Sequence, residues 1–134
     1  MEEQKDLRAF CQELLDANPY IVYNRIQVAS AEKESVEIYT DLRPEFKNIY
    51  GMVHGGLIAT MLDSCAGLTV RRDGNRYVTL DMTICYFANV TEGRITAKSR
   101  VVKRGRTVTV MNVQMTGEDS TLMAEATVTF VRIE

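Results

Sequence analysis

The chain has 134 residues, of which 46% are hydrophobic and 25% are charged, and its formal net charge is −2. This length suits one compact domain, residues 1–134, with a hydrophobic core of its own. The slightly acidic balance lacks the excess of lysine and arginine that marks small nucleic-acid-binding domains, so nucleic acid is not an expected partner.

The start of the chain, its longest apolar run and its cysteines indicate the cellular compartment. The start, Met1 to Asp6, is charged and no apolar segment follows it, so it does not resemble a secretory signal. The longest uncharged apolar run, residues 57–62, is too short to cross a bilayer. Three cysteines and one histidine fit free thiols in a reducing compartment better than a disulfide framework or a zinc site. We therefore expect a cytoplasmic protein without a membrane segment or a metal.

The first part of the chain predicts one helix and two strands. Apolar residues recur with helical spacing over residues 5–17, at Leu7, Phe10, Cys11, Leu14 and Leu15. Asn18-Pro19 predicts the end of this helix. Residues 20–29 and 35–41 have the composition and alternation of strands, with residues 31–34 as the turn between them.

The second part predicts a buried helix followed by four strands. After a loop at 42–53, residues 56–72 form an almost entirely apolar helix that Asp73-Gly74-Asn75 terminates. Strand patterns follow at 77–87, 93–103, 107–115 and 122–132. Short links predict an antiparallel meander, and an all-round apolar helix predicts that the sheet curls around it. The expected fold class is α+β, with a curled sheet around one central helix and an extra N-terminal helix.

Asp63 is the only charged residue between Leu57 and Val70. An ionised carboxylate buried without partners costs several kcal/mol, so a mid-helix carboxylate in an apolar run suggests a functional role. The alternative is a carboxylate at the helix surface, or one that binds a nearby hydroxyl of Thr60, Ser64 or Thr79.

His54-Gly55-Gly56 stands where the apolar helix begins. Glycines there let a ligand approach the backbone, and the free N–H groups of a first helical turn can bind developing negative charge, such as that of a thioester oxyanion. The alternative is a plain Gly-Gly turn with the histidine packed in the core.

The spacing of Gly55 and Asp63 limits how they can cooperate. Eight residues of helix separate them by about 12 Å, whereas an attacking group and an oxyanion donor must both lie about 3 Å from one reacting centre. One subunit cannot meet this requirement. A catalytic role therefore predicts a homodimer whose central helices pack antiparallel across a two-fold axis.

These residues resemble a known family. The pattern Asn48-x-x-Gly51-x-x-His54-Gly55-Gly56, with Asp63 seven residues beyond Gly56, is similar to the hotdog-fold acyl-CoA thioesterases of the PaaI type, in the 4-hydroxybenzoyl-CoA thioesterase-like superfamily. Two further segments are similar to that family: Thr79-Leu-Asp-Met-Thr-Ile-Cys-Tyr86 and Lys103-Arg-Gly-Arg-Thr107.

The resemblance implies roles for particular residues. Asp63 is implied as nucleophile or general base, and the Gly55 N–H of the opposite subunit as the donor that polarises the thioester carbonyl. Asn48 and His54 are implied to place the carbonyl or the hydrolytic water. Thr79 stands where the family often has serine, and its hydroxyl would bind that water. Gly56 and Tyr50 are expected beside the substrate.

The coenzyme A end of such a substrate needs cations. Candidates to bind its phosphates are Arg71 and Arg72 at the helix end and Lys103, Arg104 and Arg106 around the Gly105 turn. The alternative is a solvated basic turn. No separate cofactor is expected, since coenzyme A is part of the substrate. Cys65 points about 200° away from Asp63 on a helix and has no second histidine to activate it.

The predicted function is hydrolysis of an aryl or fatty acyl-CoA to the free acid and coenzyme A. The predicted assembly is a homodimer as the minimum unit, with a dimer of dimers expected. The alternative of another class is a noncatalytic hotdog module that binds acyl-CoA. A hotdog dehydratase would also use Asp and His, but the His-Gly-Gly start is not typical of it.

Overall fold

The computed structural model describes the backbone of residues 2–134 and the side chains of residues 6–134. Met1 of the charged start lies outside this range. The described residues form three α-helices, α1 (Glu2–Asp16), α2 (Pro19–Tyr23) and α3 (Gly55–Val70). Six strands follow the order β1 (Gln27–Glu32), β2 (Ser35–Asp41), β3 (Arg76–Tyr86), β4 (Arg94–Arg104), β5 (Val108–Thr116) and β6 (Leu122–Ile133). Short 3-10 turns lie at Pro44–Phe46 and Arg71–Asp73.

The six strands form one antiparallel sheet in the order β1-β2-β4-β5-β6-β3. The meander that the sequence predicts is correct for β4, β5 and β6. It is wrong for β3, which pairs with β6 and forms one edge of the sheet. Residues 87–93 carry the chain from this edge to β4, which pairs with β2 on its other side. The link is short, yet it joins strands that are not neighbours.

Helix α3 packs against five of the six strands, as expected for a sheet curled around a central helix. Its buried residues include Leu57, Ile58, Met61, Leu62 and Cys65, and they form one core with the inward side chains of the sheet. The side of α3 that contains Thr60, Asp63 and Ser64 is only half-buried. Within residues 2–134, no helix is long and apolar enough to span a membrane.

The prediction of a strand over 20–29 is wrong in its first half, because residues Pro19–Tyr23 form α2. The Asn18 side chain accepts a hydrogen bond from the Tyr20 N–H, and Pro19 occupies the first turn, where its missing N–H costs nothing. The β-branched and aromatic residues suggested a strand, but the cap and the proline determine the local structure. The first strand begins only at Gln27.

A β-bulge in β3 sets which side chains face α3. Thr79 pairs with Phe130 and Asp81 pairs with Thr129, so Leu80 is the extra residue. Strict alternation from Thr79 would turn residues 81, 83 and 85 towards the helix. The bulge shifts this phase, and Met82 and Ile84 pack against the core instead. Thr79 and Tyr86 can therefore both reach α3.

Candidate active site

The side chain of His54 caps the start of α3. Its Nδ1 accepts a hydrogen bond of 2.9 Å from the Gly56 N–H, so the neutral ring carries its proton on Nε2. A Cβ on Gly56 would lie 3.1 Å from His54 Nδ1, which explains the glycine. His54 is exposed, and the alternative of a histidine packed in the core is wrong. The cap occupies the N–H of Gly56 and leaves that of Gly55 as the first donor of the helix.

The Gly55 N–H makes no hydrogen bond within the part of the chain that the structure describes. It belongs to the first turn of a 16-residue helix, where backbone donors have no intrahelical partner. The helix dipole adds partial positive charge at this end. An unpaired donor at a helix start is what the predicted oxyanion role of Gly55 requires, and that role stays a prediction.

Asn48 organises the loop before α3. Its Oδ1 accepts hydrogen bonds from the N–H groups of Tyr50 (2.8 Å) and Met52 (3.2 Å), and Gly51 adopts a positive φ of 76° in the turn. Oδ1 is therefore used within the loop, and only the Nδ2 amide remains as a donor towards a substrate. Tyr50 is 75% exposed at the tip of this loop.

Asn89, which the sequence analysis did not select, fixes the same loop from the other side. Its Oδ1 accepts from the Val53 N–H at 3.0 Å and its Nδ2 donates to the Val53 carbonyl at 3.1 Å. These two hydrogen bonds are arranged like one pair of backbone hydrogen bonds between antiparallel strands. It ties the residue just before the His54 cap to the segment that follows β3.

Asp63 lies on the half-buried side of α3 and accepts a hydrogen bond from the Thr79 hydroxyl. The distance from Thr79 Oγ1 to Asp63 Oδ1 is 2.6 Å, typical of a charge-assisted bond. The structure brings these two predicted residues together. The bond uses Oδ1 of the carboxylate, and Oδ2 has no hydrogen-bond partner among residues 6–134.

Tyr86 reaches the start of the helix. Its hydroxyl donates to the Gly55 carbonyl at 3.2 Å, and its ring lies 3.9 Å from where a Cβ on Gly55 would stand. No local pattern in the sequence indicates this contact, because the bulge at Leu80 determines the face on which Tyr86 lies. Tyr86 is 53% exposed and lies beside the Gly55 donor.

The structure keeps Gly55 and Asp63 of one chain apart. Both belong to the same continuous helix, so about 12 Å of helical rise separates them. The oxyanion donor and the carboxylate therefore lie at two ends of the half-buried side of α3.

The predicted phosphate-binding cations differ in their surroundings. Arg104 forms ion pairs with Glu34 and Asp73 and donates to the carbonyls of Thr69 and Val70 at the end of α3. It caps that helix end. Arg72 donates to the Glu32 carbonyl and lies near Cys11. The exposed cations at the β4–β5 turn are Lys103 and Arg106.

Gly105 is required by the shape of that turn. Its N–H donates to the Val108 carbonyl at 3.0 Å, and a Cβ at this position would overlap the Val108 oxygen. Any other residue would force the two strands apart. The turn keeps Lys103 and Arg106 close together at one end of the sheet.

Cys65 is fully buried, and its thiol donates to the carbonyls of Val36 and Ala97. Burial raises the pKa of this thiol to about 12, so it remains protonated at neutral pH. A protonated thiol is a poor nucleophile. No three His, Cys, Asp or Glu residues are grouped as a metal site among residues 6–134.

Comparison with known proteins adds to this picture. The Thioesterase superfamily model matches residues 50–131. Human acyl-coenzyme A thioesterase 13 is 31% identical over 100 residues, which are 72% of this chain and 71% of that protein. A hypothetical thioesterase from Streptococcus pneumoniae, solved with coenzyme A, is 28% identical with a TM-score of 0.77 and covers 96% of this chain and 95% of its own. The E. coli PaaI protein shares the fold, with a TM-score of 0.87, 91% and 89% coverage, and 16% identity.

A curled antiparallel sheet around a central helix, together with these relatives, identifies the class of protein as a hotdog enzyme that hydrolyses thioesters. The chain belongs to the Thioesterase superfamily. The resemblance seen in the sequence and the predicted fold class are confirmed.

Proposed function

We propose that the protein hydrolyses an aryl or fatty acyl-CoA thioester to the free acid and coenzyme A. The hydrogen bond from Thr79 to Asp63 carries this proposal, because it holds an accessible carboxylate in one orientation on the half-buried side of α3. A thioester is activated enough for a carboxylate, an oxyanion donor and a held water to suffice.

Two relatives support these roles. Two solved variants of the S. pneumoniae thioesterase, each 29% identical to this chain with a TM-score of 0.76, replace an aspartate and a threonine. That aspartate and threonine have the same separation in sequence as Asp63 and Thr79 here. Acyl-coenzyme A thioesterase 13 supports acyl-CoA as the substrate class.

In the proposed mechanism, Asp63 attacks the thioester carbonyl carbon or takes a proton from water that attacks it. The carbonyl oxygen becomes an oxyanion, which the Gly55 N–H of a second copy stabilises. When water attacks, the C–S bond then breaks and the proton that Asp63 took passes to the sulfur of the departing coenzyme A. When Asp63 attacks, breakage of the C–S bond leaves a mixed anhydride between Asp63 and the acyl group. Water then hydrolyses this anhydride, which releases the acid, restores the carboxylate and supplies the proton for the coenzyme A thiolate. His54 and the Asn48 amide lie near that donor and position the carbonyl or the water.

The second copy is part of this proposal. Strand β3 is an edge strand of 11 residues, and its exposed side chains Val78 and Leu80 are apolar. An exposed, apolar edge of this length is suited to pairing with another strand. Pairing two β3 edges about a two-fold axis would place the half-buried side of one α3 helix opposite the half-buried side of the other α3 helix. The expected unit is a homodimer with two shared sites, and a dimer of dimers above it.

The coenzyme A phosphates are assigned to the exposed cations at the β4–β5 turn, Lys103 and Arg106. Arg104 supports this turn through its ion pairs with Glu34 and Asp73. Arg72 is a candidate only if it releases the Glu32 carbonyl.

The test uses purified protein and a panel of aryl and fatty acyl-CoAs, with released thiol measured by a thiol reagent. The wild type should release thiol, and Asp63→Asn should not, while keeping its fold and mass. Wild-type protein that binds the esters but releases no thiol would instead be the noncatalytic acyl-CoA-binding module.

Subunit mixing tests the shared site. Gly55→Pro removes the N–H at the first helical position, where proline is well tolerated and where the extended His54 backbone suits a following proline. Gly55→Ala keeps the N–H and has room for a Cβ, so it is the matched control. Mixing inactive Gly55→Pro with inactive Asp63→Asn subunits should restore about a quarter of wild-type activity in an exchanging dimer. No recovery after proven exchange would contradict a shared site.

A further inference from the structure

A cavity of about 330 Å³ opens directly beside Asp63 and Thr79. Helices α1, α2 and α3 and the sheet line it. Leu14, Ile21, Leu68 and Phe130 contribute apolar groups, and Asn18, Ser64 and Arg71 contribute polar groups in addition to Asp63 and Thr79. The cavity begins at the proposed catalytic carboxylate, so it is the space within this chain that an acyl group attached to the reacting carbonyl would enter.

The position of the Arg71 side chain depends on Gly67, which has no side chain. It follows α3, yet its side chain turns back along the helix, and a Cβ on Gly67 would overlap its Nη1. Its Nη2 donates to the Tyr77 carbonyl at 2.9 Å. The guanidinium therefore fills the place that a side chain at position 67 would take.

Asp63, Gly67 and Arg71 lie four residues apart, on one side of the helix. Because the guanidinium is level with Gly67, about 6 Å of helical rise separates it from the level of Asp63. Burial lowers the pKa of Arg71 from its ordinary value, and the charge of Asp63 acts in the opposite direction. The two charges are thus coupled across one cavity.

The contacts of Arg71 among residues 6–134 use only part of its hydrogen-bonding capacity. A guanidinium has five N–H donors, and the bond to Tyr77 uses one. None of the ion pairs among residues 6–134 includes Arg71. A half-buried cation with free donors, at the wall of a cavity that has both apolar and polar groups, favours a ligand that supplies an acceptor.

We infer that Arg71 is a specificity-determining residue that binds an oxygen on the distal part of the acyl group. This inference rests on the proposed thioesterase function. The acceptor is a neutral hydroxyl, because Asp63 and Arg71 already balance each other's charge and a second carboxylate would repel Asp63. The favoured substrates are hydroxylated acyl-CoAs, in preference to unsubstituted acyl-CoAs of the same length.

The experiment compares ω-hydroxyhexanoyl-CoA with hexanoyl-CoA and uses the ratio of their kcat/KM values. A hydrogen bond to a charged donor predicts a ratio of roughly ten in the wild type. Arg71→Met removes the donors at similar length and should bring the ratio to about one. Arg132→Met, at an exposed arginine on β6, is the matched control and should keep the wild-type ratio.

A second variant protects the test against misfolding. Gly67→Ala suits a helix better than glycine and should displace only the flexible end of Arg71, so it should fold and also lower the ratio. If Arg71 only held β3 through Tyr77, both esters would lose activity equally and the ratio would not change. An unchanged ratio in Arg71→Met, or a wild-type ratio near one, would overturn the inference.

Failure of the proposed function gives a different result. If the wild type releases thiol from neither ester, the thioesterase proposal fails. Calorimetric dissociation constants of the two esters then test Arg71 separately. A tighter complex with the hydroxylated ester, lost in Arg71→Met, supports the contact, and equal constants contradict it.

Discussion

Thr79 Oγ1 donates to Asp63 Oδ1 at 2.6 Å, across the gap between the edge strand β3 and the central helix. The bond fixes the carboxylate plane, and it depends on the phase of β3 before the bulge at Leu80. The alternative is that the Thr79 hydroxyl only provides a hydrogen-bond partner for the Asp63 carboxylate, which then has no catalytic role. The two roles make different predictions, since only a catalytic carboxylate changes turnover when its orientation is lost.

Replacing Thr79 with valine keeps the shape of the side chain and removes the hydroxyl. Loss of a hydrogen bond to a charged group costs about 1.5–3 kcal/mol, so kcat/KM for an acyl-CoA should fall roughly 10- to 100-fold. Steady-state thiol release measures this, together with circular dichroism to verify folding.

Thr79→Ser is the control for that experiment. Serine keeps the donor and lacks only the methyl group, so most of the activity should remain. If Thr79→Val were as active as the wild type, the orientation of Asp63 by Thr79 would not contribute to catalysis.

Cys65→Ala should leave kcat/KM within about twofold of the wild type, because a thiol whose pKa is about 12 is not ionised at the assay pH. The substitution removes a buried sulfur and should lower the free energy of unfolding by about 1 kcal/mol. Urea unfolding and thiol-release kinetics measure the two effects. A large loss of turnover without misfolding would assign Cys65 a chemical role.

The sequence predicts the elements better than it predicts their arrangement. Helix α3 and the last four strands are identified within about two residues, because long apolar or alternating runs depend on local periodicity. Helix α2 is missed, since Asn18-Pro19 ends one helix and also begins the next. The pairing of β3 with β6 is missed because short links favour neighbouring strands, and nothing in residues 87–93 marks a crossover.

The same limit applies to the site. His54, Gly55 and Asp63 can be selected as candidates from the sequence, because a short motif and a single charge in an apolar run are local features. Tyr86 and Asn89 are not, because their contacts with Gly55 and Val53 join segments more than thirty residues apart. Arg104 looks like a free cation in the sequence, and only the fold reveals its contacts at the end of α3.

The lowered pKa of Asp73 predicts that the stability of the folded protein depends on pH. Burial raises its pKa, but hydrogen bonds from Tyr77 and Asn75 and the charge of Arg104 outweigh this and leave the pKa below its ordinary value. Because the folded-state pKa is the lower one, the ionised carboxylate stabilises the folded protein above the ordinary value of about 3.9, and this stability is lost as pH falls through the folded-state pKa.

Asp73→Asn should therefore lower Tm at pH 7 by about 2–5 °C. The difference from the wild type should shrink as the pH falls below the ordinary carboxyl pKa of about 3.9, because Asp73 of the wild type then also loses its charge. Thermal unfolding from neutral to acid pH measures it. Asp6→Asn, at an exposed aspartate on α1 and away from the β3 edge, is the control and should show no such convergence. A Tm difference for Asp73→Asn that stays constant with pH would contradict the assignment.

Leu80→Arg tests the role of the β3 edge. Leu80 is the bulged residue of an edge strand and is 62% exposed in the isolated chain, so a charge there changes the fold of one chain little. It would place two like charges close together in a two-fold β3 pairing, which is strongly unfavourable. Light scattering should give the wild type at least twice the chain mass of 15.2 kDa, and the variant one chain mass.

Turnover of Leu80→Arg should be lost together with the dimer, because each proposed site needs Asp63 from one copy and Gly55 from the other. Val22→Arg, at a 50% exposed residue on α2, is the matched control and should remain assembled and active. A Leu80→Arg protein that is monomeric yet fully active would show that one chain contains a complete site. Since about 12 Å of helix separates Gly55 from Asp63, that result would require an oxyanion donor other than Gly55.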